Sequence, residues 1–218
     1  MDPETRHLVV PRTARYLTLG SANDASEVWF LCHGYGQLAR DLLGQAKALG
    51  SPGRLLVAPE ALSRFYHEDH ENVGASWMTR EDRLSEIEDY VRYLDLLYDT
   101  LFGVVDRSRV QAGVLGFSQG VATAARWVAR GRARFDRLVL WGSALPPELD
   151  DEGSLAPLRS VKLTLVSGTR DQFLGEKEWA EQQTRLERHG IEYEKRTFTG
   201  GHRLDDDTLR AIAGGGPR

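Results

Sequence analysis

The stretch that decides the fold is Val110-Gln111-Ala112-Gly113-Val114-Leu115-Gly116-Phe117-Ser118-Gln119-Gly120, followed by Val121-Ala122-Thr123-Ala124-Ala125. The run Val110–Phe117 is apolar on consecutive positions, which is the pattern of a strand buried on both faces. Gln119–Arg130, rich in small residues, reads as the helix that follows. Between them Gly116-Phe117-Ser118-Gln119-Gly120 matches G-x-S-x-G. A serine on so sharp a strand-to-helix turn is held in a strained conformation with its hydroxyl pointing out of the sheet edge. Gly116 and Gly120 are required because a side chain at either place would meet the neighbouring strand or helix. The alanines keep the helix close to the sheet, and its N-terminus favours negative charge beside the serine. The plainer reading of the same residues is a glycine-rich turn with an N-capping serine.

Outward from this turn, further apolar runs predict strands at Val28–Cys32, Leu55–Ala58, Leu138–Trp141 and Val161–Val166. A more polar, alternating strand is expected at Ile191–Phe198 and an edge strand near Tyr16–Leu19. Helical patterns lie between them at Gln37–Leu49, Arg80–Phe102, Glu176–His189 and Asp205–Ala213. In the longest, Leu84, Ile87, Val91, Leu94, Leu97 and Leu101 form one apolar stripe, with Thr79 as expected N-cap and Asp82 three residues on. Strand–helix alternation predicts an α/β fold: a mostly parallel central sheet flanked by helices. No linker divides the chain, so residues 1–218 read as one domain, with loose ends expected at about 1–14 and 214–218. The connection Pro59–Met78 is far longer than the usual two to six residues, and its aromatic residues predict ordering over a pocket.

Composition narrows the class. Of 218 residues 41% are hydrophobic, enough for a sizeable core, and 28 basic against 32 acidic residues leave a net charge of −4. No basic excess points to nucleic acid. The single cysteine, Cys32, forms no internal disulfide and supports no multi-cysteine metal site. No stretch approaches the ~18 apolar residues of a membrane span, and Met1–Ala14 lacks the apolar run of a signal peptide. A cytoplasmic protein, monomer or homodimer, is the expectation.

A serine hydroxyl needs a base and an orienting carboxylate to act as a nucleophile. Of six histidines, only His189 and His202 follow the serine at the distance the order Ser–acid–His demands. His189 ends a charged helix before Gly190 and reads as a C-cap. His202, in Gly200-Gly201-His202 just past the last strand, is the expected base. Asp171, in Ser167-Gly168-Thr169-Arg170-Asp171 at the carboxyl edge of the sheet, is the expected acid. Asp150, Asp151 and Asp205–Asp207 are its competitors, the last three suiting a helix start instead. Oxyanion donors are expected from the Gln119 N–H and from the turn His33-Gly34-Tyr35-Gly36, where the Tyr35 N–H is best placed and His33 fixes the loop. His67, Glu68, Asp69, His70 and Glu71 read as a solvated turn rather than a metal site. Side chains and backbone amides complete this chemistry, so no cofactor and no metal are called for.

With these motifs in place the chain resembles the phospholipase/carboxylesterase family of α/β-hydrolases. The likeness rests on His33-Gly34-Tyr35-Gly36, Gly116-Phe117-Ser118-Gln119-Gly120, Gly168-Thr169-Arg170-Asp171 and Gly200-Gly201-His202, from about residue 28 to 205. It implies a hydrolase without a large cap domain, acting on short or medium acyl esters or on thioesters, through Ser118, Asp171 and His202. Two departures are Gln37, where the family commonly has a small or acidic residue, and the segment Ser76–Arg83. Trp77, Met78, Phe173 and Trp141 are expected to line the acyl pocket, with core packing as the alternative for all four. Acyl-protein thioesterase activity and a non-catalytic binding module are the alternative functions.

Overall fold

Strand residues in this protein point alternately into two different cores, which is why the runs are apolar throughout rather than every second residue. A computed structural model describes residues 3–214. The strands are β1 (Tyr16–Leu19), β2 (Glu27–Cys32), β3 (Arg54–Pro59), β4 (Ser63–Tyr66), β5 (Val73–Ser76), β6 (Gln111–Phe117), β7 (Arg137–Trp141), β8 (Lys162–Gly168) and β9 (Tyr193–Phe198). The α-helices are α1 (Ala39–Gln45), α2 (Arg83–Phe102), α3 (Gln119–Arg130), α4 (Glu152–Leu155), α5 (Glu176–Arg188) and α6 (Asp206–Ala213). Seven strands form one sheet in the order β1-β3-β2-β6-β7-β8-β9, parallel except for β1.

Val28, Phe30, Val114, Leu138 and Leu163 face a core closed by Ile87, Tyr90 and Leu94 of α2, Val121 and Ala124 of α3, and Trp179 and Leu186 of α5. Trp29, Leu31, Leu115, Val139 and Val166 face the opposite core under Leu42 of α1 and Leu209 and Ile212 of α6. The first core is aromatic at its centre, with Trp127 edge-on to Phe30 at 5.2 Å and to Phe135 at 4.8 Å. Buried Asp95 accepts the Trp127 indole N–H at 2.9 Å, which satisfies the one polar atom that ring carries inward.

The structure departs from the sequence reading in several places. Helix α2 starts at Arg83, after Asp82 in a left-handed conformation (φ 47°). Thr79 does not cap it; the Thr79 N–H and hydroxyl donate to the Glu86 carboxylate at 2.6 and 3.2 Å. Leu84 is exposed, and Tyr90 and Tyr98 join the buried face. Helix α4 and the helical turn Ala156–Ser160 went unread because segments of 4 and 5 residues show no period. Pro3–Ala14 carries no regular secondary structure; Met1, Asp2 and 215–218, where loose ends were expected, lie outside the described residues.

The connection Pro59–Met78 holds the largest surprise, a hairpin of β4 and β5. It packs on the turn that follows β2. The Ala75 carbonyl accepts the Gly36 N–H at 2.9 Å, and the Ala75 N–H donates to Gln37 O at 3.2 Å. Beneath it His33 is fully buried. Its Nε2 accepts the Ala61 N–H at 3.0 Å, so Nδ1 carries the proton donated to Gly34 O at 2.8 Å. The Trp77 indole N–H closes the arrangement on His33 O at 2.9 Å.

A Cβ at Gly120 would overlap the Cys32 carbonyl oxygen, backbone against backbone. Gly120→Ala should therefore exceed ordinary overpacking and cost about 3 kcal/mol or more, roughly 6–12 °C in Tm; a thermal melt within a degree of wild type would remove that constraint. Burial pushes the His33 pKa down from 6.5. The unfolded chain thus binds its proton first, and stability conferred by neutral His33 is progressively lost as pH falls below about 6.5. Wild-type Tm should drop more between pH 8 and pH 5 than that of His33→Gln, which keeps an acceptor but does not titrate; equal slopes would refute the assignment.

Candidate active site

Ser118, between β6 and α3, has φ 54° and ψ −118°, a backbone conformation rare outside glycine. It persists because both ends are tied. Its N–H donates to Trp141 O at 2.9 Å, and its carbonyl accepts the Val121 N–H at 2.9 Å in the first turn of α3. Close approach requires the flanking glycines: a Cβ on Gly116 would strike the Gly120 carbonyl. The strand-to-helix turn, the strained serine and the two space-limited glycines stand as the sequence reads them.

Beside it, His202 Nδ1 lies 2.9 Å from Asp171 Oδ2 and 3.1 Å from Oδ1. Only a protonated Nδ1 fits two carboxylate oxygens, which leaves Nε2 as the acceptor of the neutral ring. Asp171 is buried, with its side chain 2% exposed, and its Oδ1 also accepts the Phe173 N–H at 2.9 Å. The imidazole lies between two rings, Phe117 at 4.9 Å and Phe173 at 4.6 Å. Phe117 immediately precedes Ser118, so this packing brings the imidazole to the elbow. Among the described residues neither the Ser118 hydroxyl nor His202 Nε2 has a hydrogen-bond partner. Catalytic hydrogen bonds commonly tighten only when substrate is bound.

The turn after β2 comes to the same place. A Cβ on Gly34 would lie 3.2 Å from the Ser118 Cβ. Among the described residues the backbone N–H groups of Tyr35 and Gln119 meet no acceptor, while their neighbours are paired: Gly36 with Ala75 and Gly34 with Gln37 Oε1 at 2.9 Å. The Gln119 side chain turns away from this opening. It accepts the Trp77 N–H at 3.1 Å and donates to Met78 O at 2.9 Å, tying α3 to the end of β5.

The competing acids are used elsewhere. Asp150 pairs with Arg185 at 3.0 Å, Asp151 caps α4 through the Ser154 N–H, and Asp205 caps α6 through the Thr208 N–H. Asp206 and Asp207 pair with Arg210 at 3.7 and 2.6 Å. His189 is the C-cap of α5, before Gly190 at φ 60°. The Cys32 thiol is buried and its pKa is pushed up by desolvation, so it is no competing nucleophile.

The expected pocket residues divide. Trp141 is fully buried, donating its indole N–H to Arg203 O at 2.9 Å and packing on Phe198. Trp77 is 2% exposed beneath His33. Both are core residues, a correction that follows from sheet neighbours no local pattern records. Met78 is half-buried, its sulfur 3.4 Å from the Arg126 guanidinium. Phe173 alone of the four is exposed, at 63%. Sequence reasoning passed over Gly142: it has φ 75°, and a Cβ there would stand 3.0 Å from the His202 ring and 3.2 Å from Asp171 Oδ2. A glycine directly after a buried strand was the available signal.

No protein-family model matches the chain, and no curated protein matches it. Solved structures do. A Zea mays acyl-protein thioesterase 2 is 16% identical, covering 93% of this chain and 97% of its own, with a TM-score of 0.71. Esterase PE8 is 22% identical over 93% and 97% of the two chains, TM-score 0.70. A Bacillus cereus carboxylesterase is 18% identical over 92% of each, TM-score 0.68. The likeness is one of architecture: the chain has the α/β-hydrolase fold, with helices on both faces of a mostly parallel sheet and no large cap among the described residues.

Proposed function

We propose that this chain is a serine hydrolase of the phospholipase/carboxylesterase kind, cleaving carboxylic esters of short to medium acyl chains through an acyl-enzyme. The observation that carries the reading is the Asp171–His202 pair packed against the residue before a strained Ser118. In this reading Ser118 Oγ attacks the acyl carbonyl as His202 Nε2 takes its proton, and the oxyanion is received by the Tyr35 and Gln119 N–H groups. The C–O bond to the leaving group breaks as the imidazolium returns the proton to the alcohol. Water, deprotonated by the same nitrogen, then attacks the acyl-enzyme and releases acid and Ser118.

Two unpaired amides beside a serine support that assignment, since an unsatisfied N–H is ready for an anion and needs no reorganisation to bind it. The buried Asp171 carboxylate holds Nδ1–H, which keeps Nε2 free to accept. Small-molecule ester or thioester substrates suit an opening with no large cap. Among the described residues no helix is long and apolar enough to cross a membrane. The thioesterase alternative draws its support from the likeness to an acyl-protein thioesterase.

A fluorophosphonate probe should label the wild type and not Ser118→Ala, whose kcat should fall by several orders of magnitude with the circular dichroism unchanged. Wild-type turnover in that variant would end the serine-hydrolase reading. Nitrophenyl esters from acetyl to dodecanoyl, run beside an acyl thioester, decide between ester and thioester preference; greater kcat/KM on the thioester would favour the alternative.

The acid is tested separately. Asp171→Asn should cost as much as ~10⁴ in kcat near neutral pH by stabilising the wrong imidazole tautomer. Asp205→Asn, Asp206→Asn and Asp207→Asn should each stay within about tenfold, because these carboxylates serve a helix start worth ~0.3–1 kcal/mol of stability. The reverse ranking would reassign the acid.

A further inference from the structure

We infer that His67, on the hairpin connection, is a positioning residue for the oxyanion loop; the inference rests on the serine-hydrolase reading above and extends it. Its Nε2 is 3.1 Å from the Gly36 carbonyl oxygen. A carbonyl only accepts, so Nε2 carries the proton and donates it. The Gly36 N–H is held at its other end by Ala75 O at 2.9 Å, and the Gly34 N–H by Gln37 Oε1 at 2.9 Å. Between these anchors lies the Gly34–Tyr35 peptide, whose carbonyl accepts from His33 Nδ1 at 2.8 Å; because that peptide is planar and trans its Tyr35 N–H points the opposite way, where it meets no acceptor among the described residues.

The loop needs such anchors. Gly36 has φ 75°, a conformation glycine adopts freely and also leaves freely. A second observation shows that the sequence makes room for the clamp. At Gly74 on β5 a Cβ would lie 2.7 Å from His67 Nε2 and 2.5 Å from Gly36 O, so hairpin and loop meet only over a glycine. Phe65, two residues before His67, stacks on Tyr35 at 5.2 Å and stands edge-on to the His67 ring at 5.5 Å. Phe65 on β4 and His67 just after it thus hold the side chain and the backbone of the loop.

A donor aimed at the oxyanion acts on the transition state and not on the bound ester, so its misplacement lowers kcat and spares KM. Removing an oxyanion donor outright costs about 10²–10³ in kcat; loosening one should cost less, about tenfold or more. His67→Phe and His67→Leu keep bulk without the donor, and His67→Gln carries an N–H to nearly the same reach. Steady-state kinetics on a nitrophenyl ester, with thermal melts, should show kcat reduced about tenfold or more in whichever donor-free variant folds. KM should stay within about twofold, and His67→Gln should recover to within about threefold of wild type. A wild type without ester or thioester turnover overturns the serine-hydrolase reading and this inference with it. Turnover in the wild type with donor-free variants within twofold of it, with the loss in KM, or with Gln as impaired as Phe, overturns the positioning role alone.

Discussion

The start of α3 lies so close to the end of β2 that no side chain fits between them: at Gly120 even a Cβ would coincide with the Cys32 carbonyl. Strands β2 and β6 are parallel neighbours with Cys32 opposite Gly116, so the helix leaving β6 must turn at once to clear the strand beside it. Ser118 takes up that turn at φ 54°. Strain of this kind costs roughly 1–3 kcal/mol and survives only where surrounding structure over-determines it. Here the restraint comes from the hydrogen bonds to Trp141 and Val121 and from a helix whose Val121, Ala124, Ala125 and Trp127 are all buried. The same approach sets Gly34 against Ser118, and so decides which backbone amides face the hydroxyl.

Parallel strands deliver the remaining groups. Because β6, β7, β8 and β9 run in one direction, the loops after them open on one edge, and Ser118, Gly142, Asp171 and His202 come from the loops after these four strands. Their fine placement is set by packing. His202 is held between Phe117 and Phe173, and Asp171 accepts from both the imidazole and the Phe173 backbone. A buried carboxylate with two donors is tolerable where an unpaired one would be costly, so the pair orders the loop that carries it. Gly142 keeps the floor beneath them thin.

Opposite this pair the loop His33–Gln37 forms neither helix nor strand and is braced by the β4–β5 hairpin. Backbone bonds from Ala75, the His67 imidazole, the Gln37 side chain and the buried His33 all end on five consecutive residues, His33–Gln37. The hairpin is itself anchored to α3 through the Gln119 side chain. The turn at Ser118 and the loop His33–Gln37 are thereby built as one unit, although 78 residues lie between Gln37 and Gly116.

The sequence by itself determined the sheet and the elbow. A strand buried on both faces must be apolar without interruption, so β2, β3, β6, β7 and β8 were visible to within one or two residues at each end, and G-x-S-x-G after such a strand has few other meanings. That Ser118, Asp171 and His202 lie in loops on one edge of the sheet was equally legible, because parallel strands place the loops after them on the same side. Only the tertiary structure decided which aromatic residues lie in the core. Trp77 and Trp141 looked like pocket residues until their neighbours were in place, because burial is set by what packs on a residue from elsewhere in the chain. It also decided the hairpin, whose 4-residue strands are too short and mixed to show a period, and the task of His67. That histidine meets Gly36, 31 residues away, and a contact closed across a loop leaves no spacing in the sequence from which to read it.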